Sequence, residues 1–216
     1  GTSLFRYARG GDYHDLFVPP GDGLGRMAVA VGDVAGHDLQ SAKLMGLARD
    51  FLRTRPALPG ALGEMIGAVN RDLIGHMKAG RFMTLFLAVL VAETRSIHWV
   101  NAGQGAAIAY SPETDSFREV SGPDIPLGID PDWQFHELSH TGWSTGALLA
   151  VGTDGVWETR DASGEMYGTE RLCRALRQAC ARPAAEIVAA VTADLAAFRG
   201  ARPQEDDLTL VVVKAV

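Results

Sequence analysis

The sequence predicts an α+β fold, a sandwich of two antiparallel sheets flanked by helices, on three observations. Strand-like stretches with period-two alternation are joined by short turns. Helix-period stripes come in pairs rather than after each strand, which argues against a doubly wound parallel sheet. The chain closes on "DDLTLVVVKAV", a continuous apolar run of the kind buried on both faces of a sheet.

Taken in order, "SLFRYA", "GGDYHDLFV" and "GRMAVAVGD" read as strands, and in the third Met27, Val29 and Val31 alternate with small alanines. The turn cluster "PPGDGLG" joins the second and third into an antiparallel hairpin. After "VAGHD" the period changes: Leu44, Met45, Ala48, Phe51 and Leu52 mark one face of a helix that Asp38 can cap and that ends near Pro56. A second helix carries Leu62, Met65, Ile66, Val69, Leu73 and Met77 on one stripe and ends at Gly80. Strands follow at "RFMTLFLAVLVA", "IHWVNAG", "GAAIAYSP", "SFREV", "WQFHELS" and "GALLAVGTDGVWE", with His98 exposed and Trp99 packed. Two further helices lie around "TERLCRALRQAC" and "PAAEIVAAVTADLAAF".

At 216 residues, with 47% hydrophobic and 21% charged residues, the chain fits one globular domain spanning 1–216. A net charge of −6 with dispersed Lys and Arg offers no basic stripe for a nucleic-acid backbone. No apolar run approaches the roughly 20 residues of a bilayer span. Cys173 and Cys180 sit on one predicted helix, roughly 10 Å apart along its axis, and read as free thiols in a reducing cytoplasm.

Four acidic punctuation points stand at strand ends: "GGDYHD", "VGDVAGHD", "GTDGVWE" and "EDDLTL". Singly, each is ordinary turn chemistry. As a set they place carboxylates at the ends of interior strands, where the two sheets should meet and unpaired charge is costly. No matching Lys or Arg cluster is present, whereas an all-oxygen set suits magnesium or manganese.

At these residues the sequence resembles the metal-dependent (PPM, type 2C-like) serine/threonine protein phosphatases, in the bacterial branch of the sporulation stage II E and RsbU proteins. The likeness runs in order through "GGDYHDLF", "VGDVAGHDLQSAKLMG", "FMTLFLAVL", "VNAGQGAAI", "PLGI", "VGTDGVWETRDASGEMYGTERL" and "EDDLTLVVV". It implies Asp33 as the carboxylate bridging two metals, with the Val34 carbonyl beside it, Asp154 and Asp206 on the second metal, and Asp12 acting through water. It further implies two divalent cations, Mn2+ or Mg2+, that activate a shared water for in-line attack on phosphoserine or phosphothreonine. The implied substrate is a phosphorylated anti-sigma-factor antagonist or similar regulator. The implied setting is cytoplasmic, as the C-terminal part of a longer protein with an upstream sensor or receiver domain.

Some positions depart from the family: His14 replaces an aromatic residue, Asp38 a glycine and Gln104 a histidine. Gln104 cannot serve as a general acid. For His14, a ligand role and a packed role both stay open; Asp15 and Asp207 read as site or structural residues, and Asp38 as a cap. Two rival functions remain at this level: a degenerate fold that binds a phosphoprotein without hydrolysis, and a hydrolase of small phosphate esters.

Overall fold

The computed structural model describes residues 1–4, 11–21, 25–36, 38–77 and 80–216. The continuation of the first predicted strand, the centre of the hairpin turn at Asp22, Gly23 and Leu24, and His37 lie outside the described residues. Along the chain the elements are β1 (Thr2–Leu4), β2 (Asp12–Phe17), β3 (Arg26–Val34), α1 (Leu39–Thr54), α2 (Leu62–Ile74), β4 (Met83–Val91), β5 (Ser96–Ala102) and β6 (Ala107–Ser111). There follow β7 (Ser116–Val120), β8 (Leu138–Thr141), β9 (Leu148–Gly152), α3 (Asp154–Trp157), α4 (Gly168–Ala179), α5 (Ala184–Arg199) and β10 (Leu208–Lys214). The fold is α+β, with two five-stranded antiparallel sheets.

The elements divide into two compact units. The N-terminal unit comprises Arg9–Gln104 and Ser121–Trp143; the C-terminal unit comprises Gly1–Ala8, Gly105–Val120 and Ser144–Val216.

In the N-terminal unit the sheet order is β2-β3-β4-β5-β8. The predicted β2–β3 pairing is present, in a register that sets Asp12 opposite Asp33. Ala28 and Ala30 of β3 and Leu85, Leu87 and Val89 of β4 share a core with Leu44, Ala48 and Leu52 of α1 and Ile66, Val69 and Leu73 of α2. The small alanines leave room for the helices to approach the sheet. Leu52 is fully buried there, so Leu52→Ala costs about 2–5 kcal/mol.

Helix α1 starts where Asp38 Oδ1 accepts the backbone N–H groups of Gln40 and Ser41, both at 3.0 Å, as the capping pattern predicts. It stops before Pro56, whose ring drives Arg55 out of helical geometry to φ −104°, ψ 143°. Helix α2 has no local side-chain cap. Instead Glu137 reaches its start: Oε1 accepts the Gly60 N–H at 2.7 Å and Oε2 the Leu62 N–H at 2.9 Å. Glu137 also pairs with His98 Nδ1 at 2.9 Å, so His98 is partly buried rather than the exposed residue that strand alternation predicts. Helix α2 ends at Ile74, short of Gly80, and Met77 packs on the core from outside the helix.

In the C-terminal unit the order is β1-β10-β9-β6-β7. Strand β10 is paired on both edges, which explains its uninterrupted apolar run. One face, with Leu208, Leu210 and Val212, packs with Leu172 and Leu176 of α4 and Ile187, Val191 and Leu195 of α5. Both cysteines are free thiols, and Cys180 is the C-cap of α4 rather than a residue inside it.

Two predicted strands are corrected. "GALLAVGTDGVWE" is strand only as far as Gly152, because Asp154 opens the one-turn helix α3. In "WQFHELS" the residues before Leu138 are irregular, and β8 runs on to Thr141. No helix among the described residues is long and apolar enough to cross a membrane.

Candidate metal centre

In the N-terminal unit, three consecutive peptide groups after β3 are pinned. The Val34 N–H donates to the Gly11 carbonyl at 3.1 Å, and the Ala35 N–H donates to the Phe82 carbonyl at 3.0 Å. Because a trans peptide is planar, an N–H fixed at residue 35 sends the Val34 carbonyl the opposite way. The Ala35 carbonyl accepts from the Arg81 guanidinium at 3.3 Å. Gly36 follows at φ +101°, a conformation that a side chain would strain.

These constraints gather oxygens beside Gly11. A Cβ added to Gly11 would lie 2.7 Å from both Asp33 Oδ1 and the Val34 carbonyl oxygen, and 3.2 Å from the Gly36 carbonyl oxygen. Only glycine lets the chain pass this close to the three oxygens. A carboxylate and backbone carbonyls brought together beside Gly11 are the donor chemistry that hard divalent cations take, so these residues fit the ion that the resemblance implies. Asp12, only 3% exposed, stands opposite Asp33 across the β2–β3 ladder.

Thr84 stands opposite Asp33 on the other side, in the β3–β4 register. Its hydroxyl donates to Gln104 Oε1 at 2.5 Å, and the Gln104 N–H donates to Asn101 Oδ1 at 2.8 Å. Thr84, which interrupts an apolar run in the sequence, therefore links Gln104 to the Asp33 position.

In the C-terminal unit, Thr153 and Thr209 join β9 to β10: the Thr153 N–H donates to the Thr209 carbonyl, and the Thr209 N–H donates to Thr153 Oγ1, both at 3.1 Å. Asp154 then opens α3 and Asp206 precedes β10. A Cβ on Gly155 would fall 1.9 Å from the Asp207 carbonyl oxygen, so the absence of a side chain lets the 207–208 peptide lie against the helix start. The Asp154 carboxyl has a raised pKa, first from burial and then from the negative charge of Asp206. Asp154 and Asp206 nevertheless keep surface in solvent, whereas Asp207 is buried. Asp206 Oδ1 accepts the Asp207 N–H at 2.8 Å.

The acidic residues thus come as two pairs, one in each unit. Among the described residues no three His, Cys, Asp or Glu side chains form a ready-made cation site. Asp15 stands apart, held by two 2.6 Å bonds from Arg53 and one from the Tyr13 hydroxyl. Burial alone would raise its pKa, but Arg53 and Tyr13 bring it below the usual carboxylate value, as befits a structural ion pair. His14 is half-buried on β2, and burial lowers its pKa toward the neutral imidazole.

The chain matches the family described as Stage II sporulation protein E (SpoIIE) over residues 23–216. It belongs to the SpoIIE family. Among curated relatives it is 26% identical over 242 residues to Protein IcfG of Synechocystis sp. (strain ATCC 27184 / PCC 6803 / Kazusa), covering 98% of this chain and 37% of IcfG. It is 22% identical over 204 residues to Phosphoserine phosphatase RsbU of Bacillus subtilis (strain 168), covering 94% of this chain and 59% of RsbU. The chain therefore spans less than two thirds of either relative. Among solved structures, the SiaA-PP2C domain of Pseudomonas aeruginosa matches with TM-score 0.79 at 22% identity, over 100% of this chain and 85% of that one. RsbX in complex with magnesium matches with TM-score 0.71 at 17% identity, over 98% and 91%. The SpoIIE-family chain thus has the fold of PP2C phosphatase domains.

Proposed function

We propose that this SpoIIE-family domain is a metal-dependent phosphatase that hydrolyses phosphoserine or phosphothreonine on a protein. Its proposed ligands are Asp12, Asp33 and the Val34 carbonyl from the N-terminal unit, and Asp154 and Asp206 from the C-terminal unit. The observation that carries the reading is the close placement of Asp33 Oδ1 and the Val34 carbonyl oxygen beside Gly11. The raised Asp154 pKa agrees with it: burial first and the Asp206 charge second disfavour the carboxylate, and a bound cation would offset both. When bound, two Mn2+ or Mg2+ ions would supply an activated water and neutralise charge on the phosphoryl oxygens.

The chain's own residues then have defined tasks. Asp33 and Val34 present oxygens on a backbone that three pinned peptides hold still, and Asp12 adds negative charge from a buried strand position. No protein nucleophile is invoked: burial raises the pKa of Cys173, which suppresses its thiolate, and Ser41 is fully buried and bonded to Arg81. Gln104 cannot move a proton, so leaving-group protonation falls to solvent.

By its likeness to the RsbU branch, the proposed substrate is a phosphorylated anti-sigma-factor antagonist or a similar cytoplasmic regulator. The proposed input is an upstream sensor or receiver domain in a longer chain, which fits the partial coverage of IcfG and RsbU. The test is release of phosphate from a phosphoserine peptide in millimolar manganese and in chelator. Turnover that needs the ion is expected, and full turnover after exhaustive chelation overturns the metal assignment. Peptide binding without turnover identifies a degenerate fold, and turnover of p-nitrophenyl phosphate alone identifies a small-ester hydrolase.

A further inference from the structure

The third pinned peptide differs from the other two. Val34 and Ala35 donate to backbone carbonyls, but the Ala35 carbonyl is held by side chains. One Arg81 nitrogen donates to that carbonyl at 3.3 Å and to the Ser41 hydroxyl at 2.7 Å, and the other donates to Asp38 Oδ2 at 2.5 Å. Ser41 Oγ itself lies 3.4 Å from the Ala35 carbonyl. Asp38 meanwhile caps α1 through its other oxygen. One guanidinium therefore ties together the turn after β3, the start of α1 and the approach to β4. The Arg81 side chain is 20% exposed and that of Asp38 55%, so the bonds to Ala35 and Ser41 are the sheltered ones and the Asp38 anchor faces solvent.

We infer that Arg81, with Asp38 as its anchor, is a positioning residue for the cation: it fixes the Ala35 peptide and thereby holds the Val34 carbonyl and Asp33 Oδ1 together beside Gly11. The inference rests on the metal reading above. Arg81 touches neither proposed ligand; it acts through the turn that carries them. The fork geometry is essential, since lysine has one nitrogen and cannot serve Ala35, Ser41 and Asp38 in the same fixed plane. Asp38→Asn separates the two jobs of Asp38, because asparagine caps a helix about as well as aspartate but lacks the charge that anchors Arg81.

The test measures Mn2+ binding by calorimetry on metal-free parent, Arg81→Met, Arg81→Lys and Asp38→Asn proteins, with thermal unfolding in chelator alongside. Arg81→Met should weaken Mn2+ binding by about tenfold, the scale of loss when residues supporting metal ligands are removed. Asp38→Asn should weaken it less and Arg81→Lys should restore only part. Unchanged Mn2+ affinity in Arg81→Met, with only a lower melting temperature in chelator, overturns the inference by making the clamp merely structural. If Arg81→Met does not fold, Asp38→Asn decides in its place by the same criterion. The metal reading fails separately: a parent that binds no Mn2+, or an Asp33→Asn protein that binds it as tightly as the parent, removes that reading and this inference with it.

Discussion

The two acidic pairs are built by different means. Asp12 and Asp33 face each other because two strands are in register, with a ladder of pairs down to Phe17 and Ala28 behind them. Separating them means slipping a strand, which would turn every side chain of β2 to the wrong face. Asp154 and Asp206 instead sit at the ends of elements, one opening a single-turn helix and one preceding a strand, where the β9–β10 pairing ends and the 207–208 peptide lies against Gly155. The first pair lies on a rigid part of its unit. The second rests on the end of the β9–β10 ladder and on the close approach at Gly155, and it keeps surface in solvent. The two pairs should therefore answer differently to mutation, metal and pH.

The largest expected difference is in rate. Asp33→Asn should lower phosphopeptide turnover by at least about a thousandfold, since the few kcal/mol contributed by a cation ligand act on the barrier. Its melting temperature in chelator should change little if the ladder alone holds β2 to β3. A large fall there would show that the fixed pair is not fixed by register. Next is Gly155→Ala, whose Cβ would strike the Asp207 carbonyl at 1.9 Å. It should destabilise the fold by about 1–3 kcal/mol, as overpacking does, and should weaken Mn2+ binding as well. Wild-type unfolding and binding would mean that the 207–208 peptide does not rest on the glycine.

Asp15→Asn is the control for an ordinary carboxylate on the same strand as Asp12. Arg53 is partly exposed, so the loss should be about 1–2 kcal/mol, below the range for fully buried pairs. The folded pKa of Asp15 lies below its unfolded value. The pair's contribution is therefore complete above about pH 4 and is lost as pH falls through the lowered folded value. Denaturant unfolding at pH 7 and in acid should show the gap between parent and variant closing in acid. A gap that persists there would assign the loss to packing instead.

The smallest effect has the opposite sign. Asp154 has a raised folded pKa, so in chelator its charge opposes folding at neutral pH, and the penalty fades as pH falls through that raised value toward the unfolded one near 4. Asp206→Asn removes part of the cause. In chelator at pH 7 it should gain about 0.5–1 kcal/mol, small because solvent screens both carboxylates, while turnover collapses. A variant that melts lower than the parent in chelator would show that the pair is not crowded. Equal stabilisation of both proteins by Mn2+ would show that Asp206 is not a ligand.

How much of this was legible in the sequence follows from the range of the forces involved. Period-two and period-3.6 patterns are local, so the main strands and α1, α2, α4 and α5 could be read from alternation, stripes and the Asp38 cap. Helix α3 could not, because four residues contain no full repeat, and "GALLAVGTDGVWE" continues an apolar pattern up to Gly152. The acidic set was visible as punctuation, but the reasons for its glycines were not: Gly11 and Gly155 look like turn residues until the oxygens beside them are placed. Arg81, Thr84 and Asn101 were missed because each acts on a partner on another element, and nothing in local spacing marks such a pair.

Glu137 is a remote partner of the same kind, and it bears on how the chain is made. The first peptide groups of α2 emerge from the ribosome long before the carboxylate that accepts their N–H groups, 75 and 77 positions later. During vectorial synthesis the start of that helix has only water to bond, while its C-terminal turns can already wind. The nascent segment should therefore stay frayed at Gly60 and Leu62 until the chain through Glu137 has left the exit tunnel, and amide protection at those two positions should appear late among the helical residues.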